Sequence, residues 1–210
     1  MKSLDVLLDK QSAWLILRDW FAQAKNHYEI LASYPEDASA ALVGMQLSTR
    51  SPLGAMLYET GGVLIDHGWL RILGSDNEKL PRGLFDWNFG KTFKQSGEQP
   101  SHLLIADDAI GGYFAINAGG IGADIGNVYY HHPKSQQWQS LNFGYSEFLG
   151  WALSSDLDEF YQDLRWENWQ ADVRKLQGHQ ILDLNSKIAI PIERHYQSVF
   201  APENMGYSVA

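Results

Sequence analysis

Two apolar runs, Leu103–Ala106 and Tyr113–Ile116, flank Asp107-Asp108-Ala109-Ile110-Gly111-Gly112, and neither run alternates apolar with polar positions. A strand covered on one face alternates, whereas a strand covered on both does not. The pattern predicts a hairpin over His102–Asn117 built from central strands, with aspartate and glycine supplying the positive φ of its tight reversal. A second hairpin is predicted over Val63–Leu73, reversing at Asp66-His67-Gly68, and a third over Val128–Leu141, around Pro133-Lys134-Ser135. Tyr28–Leu31 reads as a short extended piece. Ile188–Glu193 reads as a late strand whose proline suits a sheet edge.

Helical periodicity takes the remaining segments. Trp14, Leu17, Phe21 and Ala24 form one stripe of a helix over Gln11–Lys25. Pro35-Glu36-Asp37 starts another, running towards Gln46, with acids near the positive dipole end. Ser51-Pro52 carries a capping serine and an N1 proline, and Gly61-Gly62 is expected to end that helix in left-handed conformations. Leu84–Asn88 is a short helical turn with aromatic anchors, Lys91–Pro100 a polar surface connection, and Tyr145–Leu153 a short helix. Asp156 caps a last long helix to Leu176, whose apolar stripe shifts phase near Arg165-Trp166 and predicts a kink there. Helices, then hairpin-linked strands, then helices indicate an α+β fold with a twisted, mainly antiparallel sheet. With no internal repeat and no long Pro/Ser/Gly linker, one domain over residues 1–210 is expected.

Composition narrows the function classes. Hydrophobic residues make up 45% and charged residues 20% of the 210, a balance that supports a folded core. The eight tryptophans make aromatic packing a main source of stability. The absence of cysteine removes disulfides and thiolate chemistry. Net charge is −9, and no Lys or Arg stands between Leu103 and Pro133, which argues against a nucleic-acid partner. The first ten residues carry aspartates within their apolar run and do not read as a signal peptide, and no apolar stretch reaches membrane-spanning length. A cytoplasmic protein with no membrane partner is expected.

Several runs resemble a bacterial family of unknown function within the SUKH superfamily, the group that includes Syd-like and Knr-like proteins. The runs that carry the resemblance are Thr60–Gly74, Asp86-Trp87-Asn88, Leu103–Gly112 and Tyr113–Asn117. Tyr145–Leu149 and Phe160-Tyr161 with Leu164-Arg165-Trp166 extend it, so that it spans about Ser48 to Gln177. Pro133-Lys134 stands where that family usually has proline–aspartate, and the tail after Gln177 is short. The resemblance implies a SUKH-like α+β domain and a protein-binding role, most often as an immunity protein that neutralises a toxin. It implies no catalytic residue and no cofactor.

Candidate chemistry reads modestly. Asp107, Asp108, His131 and His132 are residue types suited to a metal, but adjacent strand residues point to opposite faces, so turn-forming acids and strand-end histidines are the simpler reading. Gly119-Gly120-Ile121-Gly122 lacks the Lys-Ser/Thr of a phosphate loop and reads as a connector. Ser51, Ser146 and Ser154 lack nucleophile-elbow glycines. Trp87, Trp151, Trp166 and Trp169 read mainly as core. The leading expectation is therefore a non-catalytic module that binds a basic protein such as a toxin domain. It would use the acids Asp156, Asp158, Glu159 and Asp163, joined by Asp107 and Asp108. The alternative is an enzyme or ligand binder built on the Asp107/Asp108 end of the central hairpin.

Overall fold

Seven strands follow one another as neighbours in a computed structural model that describes residues 1–201. They are β1 (Tyr28–Ala32), β2 (Thr60–Ile65), β3 (Leu70–Leu73), β4 (His102–Asp108), β5 (Tyr113–Asn117), β6 (Asn127–His132) and β7 (Gln137–Gly144). The order is β1-β2-β3-β4-β5-β6-β7 and every pair is antiparallel, so the sheet is a meander. The three predicted hairpins are present, and β4 is the central strand. The α+β class is thereby shown. Asp66 and His67 make the first reversal with φ of 48° and 60°.

Helices α1 (Leu4–Leu7), α2 (Trp14–Ala22), α3 (Pro35–Met45) and α4 (Pro52–Glu59) precede or interrupt the early strands. Ser51 caps α4, its Oγ accepting from Gly54 N at 3.1 Å. The glycine pair after α4 is a correction. The helix runs directly into β2, and Gly61 and Gly62 are strand residues. Gly61 is required because a Cβ there would meet the carbonyl oxygens of Asp76 and Ala32.

Register divides the sheet into two faces. Glu29, Leu64, Arg71, Asp107, Tyr113, His131 and Trp138 are directly opposite one another in turn and form one row across all seven strands. The next row, Ile30, Val63, Ile72, Ala106, Phe114, Tyr130 and Gln139, must project from the other face. On that other face lie α6 (Tyr145–Ser154) and α7 (Leu157–Phe160), with Phe148 5.2 Å from Phe114 and Phe160 5.3 Å from Tyr130, ring to ring. Phe114 and Phe148 are fully buried, each contributing roughly 2–3 kcal/mol of transfer free energy.

The part of the first row from Arg71 to His131, the polar row, is covered by the C-terminal unit. Here β8 (Gln180–Leu182) and β9 (Ala189–Pro191) form a two-stranded sheet, followed by α9 (Ile192–Phe200). Leu182 N donates to Ala109 O at 2.7 Å, and the rings of Tyr196 and Phe200 lie 5.6 Å from Tyr113. The late strand and its proline match expectation, whereas α9 was not anticipated.

The long helix expected over Asp156–Leu176 is not formed. Helix α7 stops at Phe160, and α8 (Trp169–Val173) restarts after Asn168 at φ 64°. The phase shift in the sequence marks two separate helices. Tyr161, Trp166 and Trp169 all turn in around the fully buried Trp69, at 5.4, 5.8 and 5.0 Å, which one straight helix could not do.

Short helix α5 (Leu84–Asn88) has a structural task. Strand β3 reaches along β4 only as far as Ala106, and a register shift follows between Leu104 and Ala106. The Asn88 side chain takes the missing strand's place: Nδ2 donates to Leu104 O at 2.8 Å and Oδ1 accepts from Leu104 N at 2.9 Å. A buried backbone pair is thus satisfied by one amide.

Candidate functional site

The acids expected to face a partner lie on α7 and the turn behind it. Asp156, Asp158, Glu159 and Asp163 are all exposed, as is Glu167 a few residues further along the chain. Two of them have local duties. Asp156 Oδ1 caps α7 by accepting from Glu159 N at 2.9 Å, and Asp158 pairs with Arg165 at 2.5 Å. Glu159, Asp163 and Glu167 have no ion-pair partner among the described residues. Because α7 ends at Phe160, Asp163 sits on the following turn and not on the helix that carries Asp158 and Glu159.

Arg165 fixes this segment. Its guanidinium carbon lies 4.0, 4.8 and 5.1 Å from the ring centres of Trp169, Trp69 and Tyr161. It also reaches Asp66 at 2.5 Å while holding Asp158. The side chain is only 6% exposed, so the three rings and two carboxylates replace nearly all of its water. From the other side, Lys134 Nζ donates to the Asp163 carbonyl. These contacts tie the acidic turn to the core on one side and to the β6–β7 loop on the other.

Asp107 and Asp108 are elsewhere and correct the expectation of a surface role. Both are fully buried as the last residues of β4. Asp107 lies in the polar row, where Arg71 Nε donates to its Oδ1 and Arg82 Nη2 to its Oδ2, each at 2.6 Å. Arg71 also donates to Gln180 O at 2.6 Å and to Asp108 O at 3.0 Å, tying the C-terminal unit to the central hairpin. Two guanidiniums thus bracket one carboxylate away from water. Neither arginine was singled out from the sequence, although Arg71 was legible as the one charge inside the apolar run Trp69-Leu70-Arg71-Ile72-Leu73.

Asp108 projects from the opposite face. Its Oδ1 accepts from Ile110 N and Gly112 N at 3.1 and 2.7 Å, and its Oδ2 from Tyr130 Oη at 2.7 Å. Burial pushes its carboxyl up to about 6 despite those donors. Every carboxylate oxygen of the pair is therefore engaged, and both acids are closed off from solvent.

The metal constellation does not assemble. Asp107 and His131 share the polar row with Tyr113 between them, two strand spacings or roughly 10 Å apart. Asp108 and His132 belong to the other face. Among the described residues no group of three His, Cys, Asp or Glu side chains is placed to hold a metal. His131 is 3% exposed, packed against Trp138 and Phe200, and burial pushes its imidazole down to about 4. Tyr113 Oη meets His195 Nδ1 at 2.8 Å, closing the row beneath α9.

The Gly119–Gly122 connector is held by side chains on either side. Asn117 Oδ1 accepts from Gly119 N, and Asn117 Nδ2 donates to Gly122 O at 2.9 Å. Asp124 is bound by Ser140, Tyr129 and Asn127, which together lower its carboxyl to about 2. Trp87 and Trp169 are buried, and Trp151 and Trp166 pack against the core, in line with the reading of those rings.

No helix among the described residues is long and apolar enough to cross a membrane. The protein-family description that matches residues 4–198 is a protein of unknown function, DUF2625, and the chain belongs to that family. An uncharacterized protein of Haemophilus influenzae is 50% identical over the whole of both chains. A putative uncharacterized protein of Escherichia coli K12, YbfG, is 45% identical over 84% of this chain and 80% of its own.

Proposed function

We propose that this DUF2625 protein is a non-catalytic binding module that docks a basic protein partner on the acidic turn around α7. The observation that carries the reading is Arg165. By holding Asp66, Asp158 and three aromatic rings at once, it presents Glu159, Asp163 and Glu167 on a rigid support. A preorganised surface loses less conformational freedom on binding, and acids without internal partners steer a cationic surface towards it. The resemblance to SUKH proteins supplies the partner class: a toxin domain in the cytoplasm, neutralised by covering its surface.

The test uses a partner captured from the native host on the immobilised full chain. Its association is then followed at low and high salt with wild type and with Glu159→Gln/Asp163→Asn/Glu167→Gln. Slower association and a shallower salt dependence for the triple variant are expected, with the fold unchanged. A partner that associates with both proteins at the same rate at both salts removes this face from the interface.

A further inference from the structure

The seven-stranded sheet has two outer edges, β1 and β7, and they are treated differently. On β1 the acid Glu29 stands within the strand, and Asn77 Nδ2 donates to the Ala32 carbonyl at 2.9 Å. Strand β7 has neither device. Gln137–Gly144 contains no charged residue and no proline. Among the described residues, no backbone group outside β6 bonds to Gln137, Trp138, Gln139, Ser140 or Leu141. Natural edges are blunted by charge, proline or a covering segment, because their open N–H and C=O groups recruit another strand.

This edge is compatible with a copy of itself. Gln136 and Asn142 have φ of 52° and 61°, so the extended run between them is Gln137 to Leu141, centred on Gln139. When a twofold axis relates two antiparallel edge strands, opposite residues lie on the same face, a condition met by a residue set opposite itself. Centring on Gln139 sets Trp138 against Ser140 and Gln137 against Leu141, with no like charges opposed. Trp138 and Leu141 are only partly buried and gain cover from the opposing strand.

Beyond the strand ends the charges are of opposite sign. Lys134 precedes β7 and Glu147 follows it, both exposed and neither in an ion pair among the described residues. The same register carries Lys134 of each copy towards Gly144 of the other, and the Gly144 N–H donates to the Glu147 carboxylate at 2.9 Å.

We propose that β7 is a homodimer interface, on which a second copy of this chain adds its own β7 antiparallel about a twofold axis at Gln139. The two sheets then run on as one. A neutral edge offers a charged foreign strand no counter-charge, whereas Lys134 and Glu147 complement each other across the axis. Glu159, Asp163 and Glu167 take no part, so the inference does not rest on the partner face.

The full chain is followed by analytical ultracentrifugation up to about 0.1 mM, a range that detects dimers of modest affinity. Amide exchange is measured in parallel at high and low concentration. A dimer is expected, with added protection within Gln137 to Leu141 where it is populated. Gln139→Lys and Gln139→Glu, at an exposed position, each set like charges against each other across the axis. Each is expected to weaken the dimer about tenfold or more. Mixed in equal amounts, the two variants bring opposite charges together and are expected to dimerise again. The proposal is overturned if the wild-type chain stays monomeric over the whole range, as when another segment or a different protein takes the edge. It is equally overturned if either variant dimerises as wild type does, or if the mixture forms no more dimer than the variants alone.

Discussion

Arg71 and Asp107 stand opposite each other on β3 and β4, joined at 2.6 Å, with neither side chain more than 3% exposed. Arg82 reaches the second oxygen of the same carboxylate. Such a cluster is strongly context-bound, because each charge is out of water and depends on the others. Asp107→Asn, which strands two guanidiniums, is expected to lose roughly 3–5 kcal/mol of stability in urea unfolding. The apolar triple change Arg71→Met/Arg82→Met/Asp107→Leu should fall closer to wild type than that single change, since it removes the stranded charges as well. A triple variant less stable than Asp107→Asn would contradict this account.

Asp108 and His131 set opposing pH dependences. Asp108, raised from 3.8 to about 6, keeps its proton in the folded chain where the unfolded chain has released it. Its contribution is fully present below 3.8 and is lost as pH rises through about 6, an effect of about 3 kcal/mol. His131, lowered from 6.5 to about 4, contributes above 6.5 and loses that contribution as pH falls through about 4. The two terms oppose each other in the wild type. Asp108→Asn should therefore expose a stability that climbs with pH across this window, and His131→Phe one that declines. Equilibrium unfolding at a series of pH values reads both slopes.

Asn88 stands in for a strand. Asn88→Ala leaves the Leu104 N–H and C=O unpaired and buried, with an expected loss of roughly 2–6 kcal/mol at about 1–3 kcal/mol per orphaned group. Asn88→Asp can still accept from Leu104 N but cannot donate to Leu104 O, so it should lose stability as well. Faster exchange of the Leu104 amide in both variants, together with lower denaturation midpoints, is the signature. An unchanged exchange rate would show that Asn88 does not complete the sheet there.

Arg165 makes a case for fork geometry over charge alone. Arg165→Lys keeps the cation but cannot bridge Asp66 and Asp158 while stacking on Trp169. A loss of roughly 2 kcal/mol is expected, the scale of a desolvated cation–π contact. Tryptophan fluorescence should shift in the same variant, because Trp69 and Trp169 both face the guanidinium.

What the local sequence records about this fold is limited by the range of the interactions involved. The turns at Asp66-His67-Gly68 and Ala109–Gly112, the Ser51 cap and the Pro35 helix start are set by neighbours within a few residues. Their chemistry is visible in the local sequence. The glycine pair Gly61-Gly62 misled for the opposite reason: the carbonyls of Asp76 and Ala32 leave no room for a side chain at Gly61, and Leu80 and the Ile72 carbonyl leave little at Gly62, all set by the fold rather than by the neighbouring sequence. The broken helix after Phe160 was visible as a phase shift, but the phase shift names no partner. Trp69 supplied it from far upstream.

The sequence by itself determined the α+β class, the hairpins and the central place of β4, because strand period and turn residues act locally. Only the tertiary structure decided which charge meets which. Arg71, Arg82 and Gln180 converge on the end of β4 from sequence separations of 36 residues for Arg71 to Asp107, 25 for Arg82 to Asp107 and 109 for Arg71 to Gln180. Apolar periodicity marks that a position is buried and carries no record of what it is buried against. Asp107 and Asp108 looked like exposed turn acids because acid–glycine turns usually lie at the surface. The C-terminal unit folds over one face and helices cover the other, and that closure turned two adjacent carboxylates into two separate buried networks.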